Sequence, residues 1–255
     1  MSSLRARCPN CRTFTAVALD DAYECHSCGR SFAAGLVRVP RAWGAGGEAM
    51  AEAAALTIPY PDAGVVDRDV LDEQSAALAA MLPSRPIVLG GCCCAHIGAA
   101  RGLADRVGRL GVVWIDAHGD LNTPETSPSG NLWGMPLRML LDGNVVAPEH
   151  VALICARNLD PPEVEYMART GIDDSLVRAL AGVDAVYVAL DLDVLDPGDA
   201  DVFMEEPNGP SIAEIETVLL ETNSRAKISG IGVTGFVSSE RNAPVITRLL
   251  AAAGF

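Results

Sequence analysis

The stretch Val112-Val-Trp-Ile-Asp-Ala-His-Gly-Asp120 combines an apolar run with three potential metal ligands at alternate positions. The apolar run is typical of a buried strand. Because alternate residues of an extended chain lie on one face, Asp116, His118 and Asp120 can converge at its end. This stretch predicts a strand that ends in a metal site.

A second stretch, Ala185-Val-Tyr-Val-Ala-Leu-Asp-Leu-Asp193, repeats the design, with carboxylates two residues apart at Asp191 and Asp193. Ligands gather at the carboxyl ends of strands in parallel sheets, so both stretches are expected to meet there. Four carboxylates and one imidazole in a small volume would repel one another without cations, and an oxygen-rich set favours Mn²⁺ or Mg²⁺ over zinc. The alternative, in which each acidic pair only begins a solvated loop, explains either stretch alone but not both.

Elsewhere, apolar runs alternate with segments of helical spacing. The predicted strands are Ile87–Gly90, Gly111–Asp116, Val151–Cys155, Asp184–Asp191 and Ile228–Thr234. The predicted helices are Asp67–Leu82, Ile97–Val107, Leu137–Leu141, Pro162–Arg169, Ser211–Glu221 and Ala243–Ala252. The pattern predicts an α/β sandwich with a mostly parallel sheet, formed by residues 36–255, with Gly44–Gly64 as a connector.

Residues 1–35 contain two CxxC pairs, Cys8/Cys11 and Cys25/Cys28, separated by thirteen residues. Strand-like residues flank the acidic turn at Asp20-Asp21 between the pairs. Two such pairs can close a tetrahedral thiolate site, so this segment is predicted to be a small zinc ribbon with one structural Zn²⁺. Four unrelated buried cysteines are the alternative.

Composition excludes several classes of protein. The net charge of −14 argues against a nucleic-acid-binding protein, because phosphate contacts need clustered Lys and Arg. No apolar run approaches the roughly 18 residues of a membrane helix, and the first residues lack the apolar core of a secretory signal. We therefore expect a cytoplasmic protein that acts on a small molecule, with no membrane partner.

Four blocks of sequence together resemble the arginase (ureohydrolase) family. The blocks are Asp116-Ala-His-Gly-Asp-Leu-Asn-Thr-Pro124, Ser129-Gly-Asn-Leu-Trp-Gly134, Ala189-Leu-Asp-Leu-Asp-Val-Leu-Asp-Pro197 and Gly90-Gly-Cys-Cys-Cys94. The resemblance implies a three-layer α/β fold and a centre of two Mn²⁺ ions. It also implies hydrolysis of a guanidino-type carbon–nitrogen bond, and members commonly form homo-oligomers.

The same resemblance assigns roles to the predicted ligands. Asp116 and Asp191 would bridge both metals. Asp120 would complete one metal site, and His118 and Asp193 the other; Asp120 and His118 are also the predicted catalytic residues. Residues matching Asn122, Ser129 and Asn131 contact the substrate α-carboxylate in arginases, and those matching Asp160 and Glu163 lie near its α-amino group. Asn131 can equally be a turn residue after Gly130.

Three positions depart from the family. Cys93 replaces a histidine ligand, and a thiolate is softer than the ligands Mn²⁺ prefers. His96 is the alternative ligand. Trp133 replaces a proton-shuttling histidine, although indole cannot act as a general acid. Gly235 stands where the family has a glutamate that binds guanidinium.

The departures predict changed chemistry at the reacting end of the substrate. One hypothesis is a hydrolase that releases urea or a urea derivative from arginine or from a modified arginine such as N-hydroxyarginine. The N-hydroxyguanidino group is less basic than guanidine and therefore needs less anionic binding. The other is a catalytically impaired binding module that recruits a protein partner through its ribbon. Manganese content separates the two readings.

Overall fold

The computed structural model describes residues 5–20 and 22–255, so Met1–Leu4 and Asp21 of the predicted ribbon lie outside the described residues. The strands are β1 (Arg5–Ala6), β2 (Ala16–Leu19), β3 (Ala22–Cys25), β4 (Ser31–Phe32), β5 (Gly35–Val39), β6 (Asp62–Val65), β7 (Pro86–Gly90), β8 (Leu110–Ile115), β9 (Val151–Ile154), β10 (Ala185–Asp191) and β11 (Ile228–Thr234). The helices are α1 (Glu48–Ala53), α2 (Leu71–Met81), α3 (Ala95–Ala104), α4 (Pro136–Asp142), α5 (Pro161–Thr170), α6 (Leu176–Ala179), α7 (Ile212–Arg225) and α8 (Asn242–Ala252).

A seven-stranded parallel sheet with the order β6-β5-β7-β11-β10-β8-β9 forms the centre of the molecule. Alternate side chains of each strand enter different cores. In β8, Val112 and Trp114 belong to one core, and Val113 and Ile115 to the other. Strands β7, β8 and β9 are apolar throughout because both faces of the sheet are buried there.

Helices cover both faces of the sheet. Residues of α2, α3 and α4 complete the first core, including Leu78, Leu103 and Leu137, while α6, α7 and α8 complete the second. The predicted three-layer α/β sandwich with a mostly parallel sheet is confirmed. None of the helices in the described part of the chain is long and apolar enough to cross a membrane.

The segment Gly44–Gly64 is more than the predicted connector. It contains α1 and most of β6, and the preceding residues form β5 inside the sheet. The prediction was wrong because β6, Asp-Ala-Gly-Val, is poor in strand-forming residues. Pairing with β5 and packing of Ala63 hold β6 in place instead.

The N-terminal segment forms a separate antiparallel sheet, β1-β2-β3-β4, that packs on the main body. Ala6, Cys8 and Tyr23 are buried in the first core. The backbones of Arg7 and Asp62 exchange two hydrogen bonds, of 2.9 and 3.0 Å, which fasten the segment to β6 at the edge of the large sheet. The division at residues 35 and 36 stays a prediction.

Candidate metal centre and substrate cavity

The predicted ligands lie at the carboxyl ends of neighbouring strands of the sheet. Cys93 follows β7, Asp116 follows β8, and Asp191 is the last residue of β10. These strands, with β11 between β7 and β10, are adjacent in the sheet order. The topology therefore brings together residues that are up to 98 positions apart in the chain.

The carboxylate at the end of each of the two strands β8 and β10 also stabilises a turn in the residues that follow it. Asp116 Oδ1 accepts the backbone N–H of His118 at 2.7 Å, and Asp191 Oδ1 accepts that of Asp193 at 2.9 Å. These short turns present the second ligand of each pair toward the first. The ligands at alternate positions in the sequence, Asp116 and His118 and likewise Asp191 and Asp193, therefore converge in the structure.

Two groups of side chains can each hold an ion. Cys93, Asp116 and Asp120 form one, and Asp116, His118 and Asp193 form the other; within each group the ligand atoms lie within 4.8 Å of one another. Asp116 belongs to both groups, as expected of a residue between two cations. Asp191 Oδ2 lies 2.9 Å from Cys93 Sγ, beside the first group.

Burial makes these carboxylates unfavourable as free anions. Asp116, Asp120, Asp191 and Asp193 are each at most 5% exposed. Burial, with the charge of Asp116, raises the pKa of Asp191 to about 6. Burial and neighbouring carboxylates likewise raise the pKa values of Asp120 and Asp193 well above their ordinary range. Cations would offset the burial and the mutual repulsion that raise these pKa values.

The chemistry of Asp120 supports cation binding most directly. Its Oδ2 is buried and has no hydrogen-bond partner among residues 5–20 and 22–255, and its backbone adopts the left-handed conformation with φ of 52°. An unpaired buried carboxylate oxygen costs free energy, and a strained non-glycine backbone persists only where its surroundings impose it. A cation satisfies this oxygen, so the residues present fit a two-metal centre.

His118 lies between carboxylates on both sides of its ring. Its Nδ1 is 3.4 Å from Asp116 Oδ1 and 3.2 Å from Asp193 Oδ2, and its Nε2 is 3.3 Å from Glu206 Oε1. Burial acts to lower its pKa, but hydrogen bonds and charges of Asp116 and Asp193 outweigh burial and raise the pKa to about 12. Sequence reasoning missed Glu206, which also accepts from Asn158 Nδ2 at 2.8 Å.

Trp114 is a second residue that sequence reasoning missed. Its Nε1 donates to Asp116 Oδ2 at 3.1 Å, so both oxygens of Asp116 have protein donors. The signal was present in the sequence, because residues 114 and 116 are alternate positions of one strand and share a face. Trp114 thereby fixes the orientation of the carboxylate that both ligand groups share.

Cys93, and not His96, faces the candidate centre. Cys93 lines the cavity, and burial with the surrounding carboxylates raises the pKa of its thiol well above the ordinary value. His96 is buried behind it, with Nδ1 bound to Tyr187 and Nε2 to Thr234. The geometry therefore favours Cys93 as the ligand that replaces the expected histidine.

A cavity of about 240 Å³ opens over the centre and holds most of the predicted substrate-binding residues. Asn122, Ser129, Asp160 and Glu163 line it. Asn122 Nδ2 donates to Asp160 Oδ2 at 2.8 Å, which couples the two predicted ends of the amino-acid site. Asn131 is not among the lining residues.

The structure gives Asn131 and Glu163 contacts with the backbone. Asn131 Oδ1 accepts the N–H of Ala45, which ties two loops together. Glu163 Oε1 accepts from Leu121 and Oε2 accepts from Asp160, the second bond being half of the capping box that begins α5. Direct contact of either side chain with a substrate stays a prediction.

The wall of the cavity beside Gly235 is apolar. Trp133 packs edge-on against Phe203 with ring centroids 5.9 Å apart, and Met204 lies beside them in the lining. Gly235 has φ of 73°, and a Cβ there would overlap the Asp191 carboxylate. A glutamate therefore cannot replace Gly235 unless Asp191 moves.

The four N-terminal cysteines form a separate cluster. Cys8 Sγ is 3.7 Å from Cys28 Sγ, and Cys11 Sγ is 3.5 Å from Cys25 Sγ, with all four within 4.8 Å of one another. A tetrahedral zinc with Zn–S bonds of about 2.3 Å places its sulfurs about 3.8 Å apart. The spacing of these thiols is thus close to that of a zinc site.

Comparison with known proteins identifies relatives of the main body. The model of the Arginase family matches residues 48–253. An arginase of Bacillus caldovelox is 39% identical over 144 residues, which cover 45% of this chain and 48% of that protein. An arginase of Bacillus subtilis is 40% identical over 143 residues, with the same coverage. The aligned sequence thus spans about half the length of these curated relatives.

The likeness in structure extends further along the chain. The native structure of the Bacillus caldovelox arginase superimposes with a TM-score of 0.71 and 26% identity. The superposition covers 86% of this chain and 97% of that one. Residues 48–253, which match the family model, contain every candidate ligand of the two-metal centre. The four N-terminal cysteines lie before this region.

Proposed function

Because the chain belongs to the arginase family, we propose that it is a metal-dependent amidinohydrolase that cleaves a guanidino-type carbon–nitrogen bond of a small molecule. The observation that carries this proposal is the pair of ligand groups that share Asp116 at the carboxyl ends of the strands. A cavity large enough for an amino acid opens directly over them.

The centre would hold two Mn²⁺ ions. Asp116 and Asp191 would lie between them, Cys93 and Asp120 would bind one, and His118 and Asp193 the other. When bound, the two ions supply Lewis acidity that lowers the pKa of a water molecule to near neutrality. Carboxylate oxygens predominate in this set, as Mn²⁺ prefers, and the one thiolate weakens the preference without abolishing it.

The chain's own residues orient the substrate above the centre. Asp160 would accept hydrogen bonds from an α-ammonium group, and Asn122 and Ser129 would donate to an α-carboxylate. Asn122 and Asp160 are already bonded to each other, so these positions are fixed before substrate binds. This arrangement supports an amino-acid substrate over a decarboxylated amine.

The apolar reacting end supports a modified guanidino group. A guanidinium is normally bound by a carboxylate, yet Gly235 provides no side chain, and the nearby wall is formed by Trp133, Phe203 and Met204. A less basic group such as N-hydroxyguanidine loses less on leaving water for such a wall. We therefore propose N-hydroxyarginine or a similar modified arginine as the substrate.

Paired assays test the substrate. The manganese-loaded chain is given equal concentrations of arginine and N-hydroxyarginine, and release of urea and hydroxyurea is measured. We expect the N-hydroxy substrate to have the higher kcat/KM. Faster turnover of arginine would refute this substrate, and a chain that binds no manganese and turns over neither compound would favour the binding-module reading.

The N-terminal cluster would hold one structural Zn²⁺. Hydrogen bonding from Thr15 lowers the pKa of Cys25 to about 5, which favours the thiolate that zinc requires. Metal analysis of the intact chain should therefore find one Zn in addition to two Mn. A chain with two Mn and no Zn would retain the proposed activity and remove the zinc assignment.

A further inference from the structure

A buried polar pair lies beneath the candidate centre and has no role in the proposed chemistry. His96, in the first turn of α3, is 1% exposed, and Tyr187, in β10, is fully buried. His96 Nδ1 lies 2.8 Å from the Tyr187 hydroxyl. Burying two polar side chains is costly, so their retention calls for a function that the core alone does not provide.

The neighbouring strand leaves room for this pair. Gly232 in β11 lies against both side chains, and a Cβ at this position would overlap the Tyr187 hydroxyl and the His96 ring. The edge of the Trp114 indole also packs against His96, with ring centroids 5.0 Å apart. The pair is therefore held from several sides in one arrangement.

The pair continues into the centre through Thr234, the last residue of β11. His96 Nε2 lies 3.1 Å from Thr234 Oγ1, and Thr234 Oγ1 donates to Asp191 Oδ2 at 3.2 Å. The same hydroxyl is 3.4 Å from Cys93 Sγ. Four residues thus form one continuous chain of hydrogen bonds that ends on a candidate ligand.

With Asp191 ionised, as a metal ligand is, only one direction of donation satisfies every member. His96 is buried, which favours the neutral imidazole with a single N–H. The Thr234 hydroxyl donates to the Asp191 carboxylate and must accept from His96 Nε2–H. His96 Nδ1 is then an acceptor for the Tyr187 hydroxyl, which burial keeps protonated by raising its pKa.

We infer that Tyr187, His96 and Thr234 are positioning residues that fix the orientation of Asp191 Oδ2 and thereby set the affinity of the adjoining Mn²⁺ site. This inference rests on the proposed function, because it concerns the same centre. With Oδ1 held by the Asp193 N–H and Oδ2 by Thr234, the Asp191 carboxylate cannot rotate. Fixed ligands lose less entropy when a metal binds.

Manganese titration of the full-length chain tests the inference. Thr234→Val removes the hydroxyl with little change in shape, and we expect Mn²⁺ affinity to fall by about 10- to 100-fold at one of the two sites. Thr234→Ser should restore the affinity. Thr222→Val is the matched control, because Thr222 is a fully buried threonine of α7 whose hydroxyl donates to the Val218 carbonyl of its own helix.

A second variant keeps the test decisive if Thr234→Val does not fold. Tyr187→Phe removes the donor at the far end of the chain, and we expect a loss of about 3- to 10-fold in Mn²⁺ affinity. The ¹⁵N spectrum of the imidazoles, of which the chain has four, should show His96 with its proton on Nε2. The Nδ1 signal should shift in Tyr187→Phe, which would confirm that the hydrogen bond from Tyr187 has been lost.

The outcomes separate the inference from the proposed function. The inference would be overturned if folded Thr234→Val bound Mn²⁺ with wild-type affinity. It would also be overturned if Tyr187→Phe did so while its His96 Nδ1 signal was shifted. Either result would leave the hydrolase proposal in place. An equal loss in Thr222→Val would also overturn it, because the effect would then be general destabilisation. A wild-type chain that takes up no Mn²⁺ in the same titration would overturn both.

Discussion

Replacing Gly235 by alanine adds one methyl group directly against the Asp191 carboxylate. The backbone there has φ of 73°, a conformation that costs a residue with a Cβ about 1–2 kcal/mol. The new Cβ would also overlap the Asp191 carboxylate, and overpacking of this kind costs about 1–3 kcal/mol more. We expect Gly235→Ala to lower the free energy of unfolding by about 2–5 kcal/mol.

Relief of the overlap requires Asp191 to move, so metal binding should suffer together with stability. We expect Mn²⁺ affinity to fall at least about 10-fold, as for other displaced ligand environments. Urea unfolding without Mn²⁺ measures the first effect, and Mn²⁺ titration measures the second. The same reasoning predicts that Gly235→Glu does not create an arginine-specific enzyme.

Gly171→Ala provides the matched control. Gly171 ends α5 with φ of 74°, and a Cβ there meets nothing within 4 Å. This variant should lose only the about 1–2 kcal/mol of backbone strain and keep its Mn²⁺ affinity. Equal destabilisation of the two variants, with wild-type Mn²⁺ affinity in Gly235→Ala, would refute the reasoning.

Three further predictions concern the substrate, the ribbon and the ionisation of the centre. Asn122→Ala should raise KM about 10-fold in steady-state kinetics, because it removes one hydrogen bond to the substrate. Asn131→Ala should leave KM within about 2-fold, because the Asn131 side chain bonds to the backbone of Ala45. Equal effects of the two substitutions on KM would contradict the assignment. Cys8→Ser should abolish zinc binding, as measured by metal analysis. It should also lower the free energy of unfolding in urea by about 4 kcal/mol, which is what a ligand contributes at 1,000 times its Kd. An unchanged unfolding curve would argue against structural zinc. Because the pKa of Asp191 rises from 3.8 to about 6 on folding, its stabilising contribution is present below pH 3.8 and is lost as pH rises through about 6. The metal-free wild type should therefore lose about 2–3 kcal/mol more than Asp191→Asn between about pH 4 and pH 7, and parallel pH profiles would contradict this.

The strand-end ligands could be predicted because the physics that places them is local. An apolar strand followed by alternating acids fixes both the burial of Asp116 and the face on which His118 lies. Strands β8 and β10 are central and buried on both faces, so their composition alone reveals them. The same argument extends to Trp114, two residues before Asp116.

Other parts of the site depend on contacts between distant segments, which sequence periodicity does not encode. Glu206 reaches His118 across 88 positions from a loop without regular structure. The capping contacts of Glu163 were missed for a different reason, since Asp160-Pro-Pro-Glu163 is itself the signature of a capping box. The family resemblance drew attention to substrate contacts, whereas the helix start accounts for both Glu163 oxygens together with Leu121.

The two backbone hydrogen bonds between Arg7 and Asp62 have a consequence for the fate of the newly made chain. Strand β6 is at the edge of the large sheet, and exposed edge strands invite pairing with other molecules. The N-terminal sheet covers part of this edge, and its own fold would depend on zinc. If the N-terminal cysteines hold the proposed Zn²⁺, zinc scarcity would expose β6 while leaving the candidate metal ligands in place. We then expect self-association before any loss of the proposed Mn²⁺ ions.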